Sequence, residues 1–259
     1  MCSGGDVAGN LDAVEALIRE AAGEGAELVA TPEMTHLLVR SRDELMEHVR
    51  PEAEDTGLAR FTGLAAELGI HILVGSLAVR VGEGIRNRSY LIDPGGITAR
   101  YDKIHMFDAT VSETDRWRES STYTAGDSPV EAEVGGVKLG MSVCYDLRFP
   151  ELYRHYARAG CHLLSVPAAF TVPTGRAHWE VLLRARAIEN GAYVVAPAQG
   201  GSHPEGRETY GHSVIIGPWG EVLAELEHDA PGIICADVDV DEVERARGRI
   251  PAWSVEPKV

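Results

Sequence analysis

Lysine is almost absent from this chain. Of 24 basic side chains only Lys103, Lys138 and Lys258 are lysines, and the rest are arginines. Cysteine is also scarce, and Cys2, Cys144, Cys161 and Cys235 show no C-x-x-C or C-x-x-H spacing. A zinc ribbon or a disulfide framework is therefore not expected, and the thiols read as free. The ten histidines show no metal-site spacing either, so neither metal nor cofactor is expected. No apolar run approaches the roughly 18–20 residues of a membrane helix, which argues against a membrane partner. The first ten residues, MCSGGDVAGN, lack the basic start and apolar core of a secretory signal, so a cytoplasmic location is expected. Positive charge is short overall: 40 acidic against 24 basic side chains give −16. A nucleic-acid partner needs a basic surface and is not expected. No linker or low-complexity tract divides the 259 residues, so residues 1–259 read as a single domain.

Against these absences stands a repeated α/β pattern. Residues 11–22 read as a helix with Asn10 as cap and Gly23 as stop. GAELVATPE (25–33) reads as a buried strand, 57–68 as a helix and GIHILVG (69–75) as a second strand. NRSYLIDPGGITARYDK (87–103) reads as a hairpin about a Pro-Gly turn. The second half repeats this plan: GCHLLSVPA (160–168), GAYVVAP (191–197) and the hairpin GHSVIIGPWGEVLAEL (211–226). Gly25 and Pro32 match Gly160 and Pro167; Ser89, Pro94 and Gly96 match Ser213, Pro218 and Gly220. Strands this apolar imply sheets covered on both faces. In the second half a strand, VKLGMSV (137–143), precedes the helix at 150–159. Its first-half counterpart is missing from the turn-like opening residues, so the N-terminal strand reads as lost and the start as assigned too late.

Three polar residues fall at ends of predicted strands: Glu33, Lys103 and Cys144. Each alone has a bland reading. Such a cysteine is more often a small buried hydrophobe, and a glutamate after proline a solvated loop charge. Lys103 is notable because arginine, planar and always charged, is otherwise favoured. Lys138 and Lys258 read as chance. Together the three supply what thiol attack on an amide needs: a base, an oxyanion stabiliser and an acid for the leaving nitrogen. Positive charge and a helix N-terminus nearby would lower the thiol pKa.

The segments TPEM (31–34), YDKIHMFD (101–108) and SVCYDLRFPELYR (142–154) resemble the three signature segments of the nitrilase, or carbon–nitrogen hydrolase, superfamily. The resemblance spans the chain in order. It implies an α-β-β-α sandwich, with Glu33 as general base, Lys103 as oxyanion stabiliser and Cys144 as nucleophile. It further implies the Tyr145 N–H as second oxyanion donor and Glu119, in WRES (117–120), as the residue that holds the lysine. A surface charge remains the alternative for Glu119. Family members open with an apolar strand, which agrees with the missing strand of the repeat. Association into a homodimer or larger homo-oligomer is also implied.

TGRAHWEVLLRARAIEN (174–190) places Trp179, Leu182, Leu183 and Ile188 near a buried face at helical spacing, and as a string is similar to the Nit branch. That branch acts on 2-oxo-acid amides. APAQGGSHPEGRETYGHS (196–213) resembles those acting on deaminated glutathione more than those acting on 2-oxoglutaramate. The expected partner is thus a small anionic amide substrate. Arg148 could grip its carboxylate in bidentate fashion; an ion pair with Asp146 or Glu151 is the competing reading. By resemblance Phe170 and Thr174 contact the acyl portion. His203 and Arg207 could meet the distal cysteinyl-glycine, or lie in a mobile loop.

Overall fold

The computed structural model describes residues 1–111, 116–204, 206–227 and 230–256. Its elements in chain order are α1 (Val7–Gly23), β1 (Leu28–Ala30), α2 (Arg42–His48), β2 (Arg50–Pro51), α3 (Thr56–Leu68), β3 (His71–Val81), β4 (Gly84–Asp93) and β5 (Gly96–Asp102). The small pair β6 (Asp108–Thr110) and β7 (Arg116–Arg118) follows. Then come β8 (Glu131–Val134), β9 (Val137–Gly140), α4 (Pro150–Arg158), β10 (Leu163–Ser165), α5 (Val172–Asn190) and β11 (Tyr193–Ala196). A second small hairpin, β12 (Gly200–Ser202) and β13 (Glu208–Tyr210), precedes β14 (Val214–Ile216), β15 (Val222–Glu225) and α6 (Val240–Arg249).

The repeat is visible in the pairing. β1 runs parallel to β3, which pairs antiparallel with β4, and β4 with β5. β10 likewise runs parallel to β11, then antiparallel to β14, then β15. The matched residues behave alike. Gly25 and Gly160 both have positive φ, as do Gly96 and Gly220. Ser89 Oγ donates to the Val74 carbonyl, and Ser213 Oγ binds the Ala198 backbone. The halves differ at one edge: β10 has β9 on its outer side, whereas among the described residues β1 has only β3. The repeat's asymmetry, read in the sequence as a missing strand, is present in the sheet.

Alternation along β3 and β4 explains the layers. Ile72, Val74, Tyr90 and Ile92 face α1 and α3 through Ile18, Phe61 and Leu64. Leu73, Leu91 and Tyr101 point the other way, into a core shared with β9–β11 and with Tyr156, Trp179 and Leu183 of α4 and α5. The result is an α-β-β-α sandwich. Gly140 lets α4 lie close on β9, where a Cβ would come 2.5 Å from the Tyr156 ring.

Three details of the pattern fall differently. α1 begins four residues earlier than the periodicity implies, and its cap is Asp6, whose carboxylate accepts from Gly9 N–H. Asn10 instead donates to the carbonyls of Gly4 and His36. Ile188 does not join the buried face of α5 with Trp179 and Leu183; it is 53% exposed. Arg186 takes the inward place, donating to the Leu147 carbonyl. β3 also runs six residues beyond the predicted strand end, past an irregularity between Val74 and Leu77.

That irregularity positions the loop after β1. Gly75 N–H donates to Thr31 Oγ1, Ser76 Oγ accepts from Met34 N–H, and the Ser76 carbonyl from Thr35 N–H. A Cβ on Gly75 would lie 1.9 Å from the Thr31 carbonyl oxygen. The Gly75→Ala variant is therefore expected to push the Pro32–Glu33 loop off the sheet. Overpacking of this kind costs about 1–3 kcal/mol, which lowers Tm by roughly 3–10 °C. Calorimetry measures this; an unchanged Tm would show that the loop yields freely.

Candidate active site

Glu33, Lys103, Cys144 and Glu119 come from four separate segments and meet between the two sheets. Lys103 follows β5 directly and is held there by its N–H to the Asn87 carbonyl at 2.9 Å. Its side chain is only 2% exposed, and Nζ donates to Glu33 Oε1 at 2.9 Å. It also donates to both Glu119 oxygens, at 2.9 and 2.8 Å. The surface-charge reading of Glu119 thus gives way: the carboxylate points inward and also accepts from Phe107 N–H at 2.6 Å. Burial alone would push the lysine pKa down. The charges of Glu119 and Glu33 reverse this and hold it well above its ordinary value.

Glu33 follows the loop fixed by Gly75 and Ser76, and Met34 behind it adopts a left-handed φ of 54°. Oε2 accepts from Ala169 N–H at 3.0 Å, and Oε1 from Asn87 Nδ2 at 3.0 Å. Burial pushes its pKa up, but the Lys103 charge and the hydrogen bonds from Lys103 and Asn87 outweigh it and hold the carboxyl below its ordinary range. Glu33 is an anion.

Cys144 opens a single tight turn, Cys144–Arg148, with a φ of 51°. A non-glycine residue in this region is strained and needs support. Its N–H donates to the Pro167 carbonyl at 2.9 Å, and Asp146 closes the turn by accepting from Val143 N–H at 2.9 Å. Buried Asp146 also accepts from the Tyr101 hydroxyl and from His105 N–H. The buried thiol lies near enough to Glu33 and the Ala169 N–H for both to act on its ionisation. Its pKa differs from the sequence expectation. Burial raises it and the Glu33 charge raises it further; Lys103 and the Ala169 N–H pull the other way but do not prevail. The resting group is a neutral thiol beside a carboxylate base.

The expected substrate contacts are partly gathered. Arg148 forms no ion pair with Asp146 or Glu151; its nearest polar partner is His178 Nδ1, at 3.4 Å. Its guanidinium lies 5.7 Å from the Tyr145 ring centre and 5.5 Å from that of Phe170. Phe170 is buried against Trp179. Thr174, in the first turn of α5, shares its hydroxyl with Thr171 at 2.8 Å. His203 is occupied: Nδ1 donates to the Ser3 carbonyl, and Nε2 accepts from Thr209. Lys138 donates to the Ala159 carbonyl, and Lys258 lies outside the described residues. Among the described residues no group of three potential metal ligands occurs.

Residues the sequence reading missed complete the site. Asn87 Nδ2 bridges Glu33 and Glu119, at 3.0 and 3.2 Å. Its inward direction was available from alternation with Ser89 and Leu91, but its partners were not. Asp146, the Ala169 N–H and Trp117, 4.8 Å from Arg207, had no signal in the sequence.

A buried cysteine against a glutamate that shares a lysine with a second glutamate defines the chemistry of a thiol-dependent amide hydrolase. The family match agrees: the carbon–nitrogen hydrolase family covers residues 2–248, and the chain belongs to that family. Among individual proteins it is similar to the deaminated glutathione amidase of Synechocystis sp., 42% identical over 94% of this chain and 90% of that one. Its structure resembles the C. elegans NitFhit protein, with TM-score 0.90 and 34% identity over 99% of this chain, which spans 63% of that longer one. It also resembles a variant of the amidase from Nesterenkonia sp. AN1 that carries an acrylamide adduct on its active-site cysteine. There the TM-score is 0.80 and the identity 28%, over 97% of this chain and 95% of that one.

The electrostatics give a direct expectation. Difference ultraviolet titration of wild type against Cys144→Ala should detect no Cys144 thiolate at neutral pH. Because the folded-state pKa is raised, the thiolate signal should appear only above the range of an ordinary thiol. A full equivalent of thiolate at neutral pH would contradict this balance of charges.

Proposed function

We propose that the protein hydrolyses the amide of deaminated glutathione to 2-oxoglutarate and Cys-Gly through a thioester on Cys144. The observation that carries the reading is the buried Cys144 thiol set within the influence of an ionised Glu33, which is itself paired with the buried Lys103 ammonium at 2.9 Å. The curated relative named for this substrate supports the choice of amide, and the adduct on the Nesterenkonia amidase supports a cysteine nucleophile.

Glu33 takes the thiol proton as Sγ attacks the carbonyl carbon. Negative charge gathers on the carbonyl oxygen, where Lys103 Nζ and the Tyr145 N–H stabilise it; a single such donor is typically worth about 3–4 kcal/mol. At rest two of the Nζ contacts go to one carboxylate, Glu119. One proton can therefore turn to the oxyanion without leaving Glu119 unpaired. Glu33 next protonates the departing nitrogen, and Cys-Gly leaves. It then deprotonates a water that attacks the thioester, releasing 2-oxoglutarate and the thiol. Arg148, with no carboxylate partner among the described residues, receives the 2-oxo-acid carboxylate, with Phe170 and Thr174 along the acyl chain.

Purified protein and Cys144→Ala should be assayed with deaminated glutathione and 2-oxoglutaramate, following 2-oxoglutarate. The expected result is a higher kcat/KM for deaminated glutathione, abolished in the variant. Preference for 2-oxoglutaramate would move the reading to an ω-amidase with the same residues. Arg148→Gln should raise KM by about 10–100-fold, as expected for a lost charged hydrogen bond.

The reading places one hydrolase unit in the cytoplasm, associated as a homodimer. Support for association comes from Val181, Ile188 and Trp219, which are 69%, 53% and 48% exposed. Val181 and Ile188 are seven residues apart on α5, hence on one face, and a Cβ on Gly220 of the adjoining turn would touch Ile188. Light scattering should give a dimer mass for wild type and a monomer for Val181→Glu/Ile188→Glu. A monomeric wild type would overturn this part.

A further inference from the structure

The chain has many more acidic than basic side chains, yet Arg207 has no carboxylate within ion-pair distance among the described residues. Among the described residues its guanidinium makes one hydrogen bond, from Nη2 to the Ala169 carbonyl at 3.1 Å. The guanidinium stacks 4.8 Å from the centre of the Trp117 ring, and Arg40 approaches the same ring at 5.3 Å. The Arg207–Trp117 pair leaves two buried donors, Arg207 Nε and Trp117 Nε1, without an acceptor among the described residues. Buried donors left unmade are costly, and that cost is removed when an acceptor arrives.

The position of this cluster is set by the site itself. Ala169, whose carbonyl takes Arg207, donates its N–H to Glu33. Trp117 stands two residues before Glu119, and the Phe107 ring separates it from Tyr145, with centroid distances of 5.9 and 5.2 Å. Arg148 lies beyond Tyr145, over Phe170. The two arginines therefore rest on different neighbours of the reacting groups, Arg207 on Ala169 and Trp117, Arg148 on Tyr145 and Phe170. Burial lowers the Arg207 pKa, while the charges of Glu33 and Glu119 oppose that shift.

We infer that Arg207, seated on Trp117, forms a second anion subsite that reads the terminal carboxylate of the leaving peptide. Resting on the substrate proposed above, this makes the enzyme a reader of dianionic amides, with one carboxylate on each side of the scissile bond. The neighbouring His203 takes no part, because both of its ring nitrogens are bound within the protein.

The test compares three substrates: deaminated glutathione, its analogue with the terminal carboxylate converted to a neutral carboxamide, and 2-oxoglutaramate. Wild type should prefer the free carboxylate to the carboxamide by about 10–100-fold, chiefly through KM, as a charged hydrogen bond predicts. In Arg207→Gln that preference should vanish. Arg207→Lys, which keeps the charge and loses the fork, should retain part of it and serves if the glutamine variant does not fold. A wild type indifferent to the carboxylate overturns the subsite alone, as does an Arg207→Gln enzyme that slows on all three substrates by one factor. A wild type that hydrolyses 2-oxoglutaramate but neither longer substrate overturns the substrate reading, and the subsite's ligand falls with it.

Discussion

One buried ammonium organises this molecule. Lys103 is 2% exposed and sits between two carboxylates, so neither it nor they can be changed singly without stranding a charge. Breaking such a pair by removing one partner typically costs about 3–5 kcal/mol. The network demands that the ends of β5, the loop after β1 and the turn after β7 arrive at one point. Asn87 enforces the meeting, since its carbonyl takes the Lys103 N–H while its amide holds both carboxylates. Arginine could not replace this lysine: its planar fork pairs with one carboxylate side-on, whereas a compact ammonium can serve two carboxylates and still turn a proton elsewhere.

The repeat explains how two similar halves make one asymmetric site. Thr31 N–H pairs with the Leu73 carbonyl, and at the matching place Val166 N–H pairs with that of Val195. Both strands then run into a proline. Two residues beyond the second, Ala169 turns its N–H to Glu33. The first half supplies a carboxylate, and the second answers with a donor that orients it. Cys144 comes from the turn after β9, the strand without a first-half partner among the described residues, and its N–H is tied to Pro167. The duplicated scaffold therefore supplies rigidity, and the departures from duplication supply the chemistry.

Much of the fold was legible because burial imposes period on sequence. Apolar strands, Gly-capped helix ends and the Pro-Gly hairpins announced two covered sheets, and the rarity of lysine singled out Lys103. Glu33, Cys144 and Glu119 were named mainly through resemblance, since a cysteine or glutamate at a strand end is individually ambiguous. What stayed illegible depends on three-dimensional meeting. Asp6 displaced Asn10 as cap because Asn10 is drawn to His36, 26 residues away. Ile188 reads as core by period, yet Arg186 turns in to reach Leu147. No local pattern encodes the Ala169 N–H, since every residue has one.

The thiol shows why geometry and charge must be read together. A nearby cation and a helix N-terminus suggest a depressed pKa, but Lys103 already has two carboxylates to neutralise it. Cys144 therefore sees burial and the nearby Glu33 anion, and both favour the neutral form. Such a site avoids holding two adjacent anions at rest. The proton moves only when a carbonyl oxygen offers a place for negative charge, because only then can the Lys103 cation be drawn from Glu119 toward the new oxyanion. The same economy extends outward to Arg148 and Arg207. In a chain so rich in carboxylates, neither has a carboxylate within ion-pair distance among the described residues, which is the ground on which the anion sites proposed above rest.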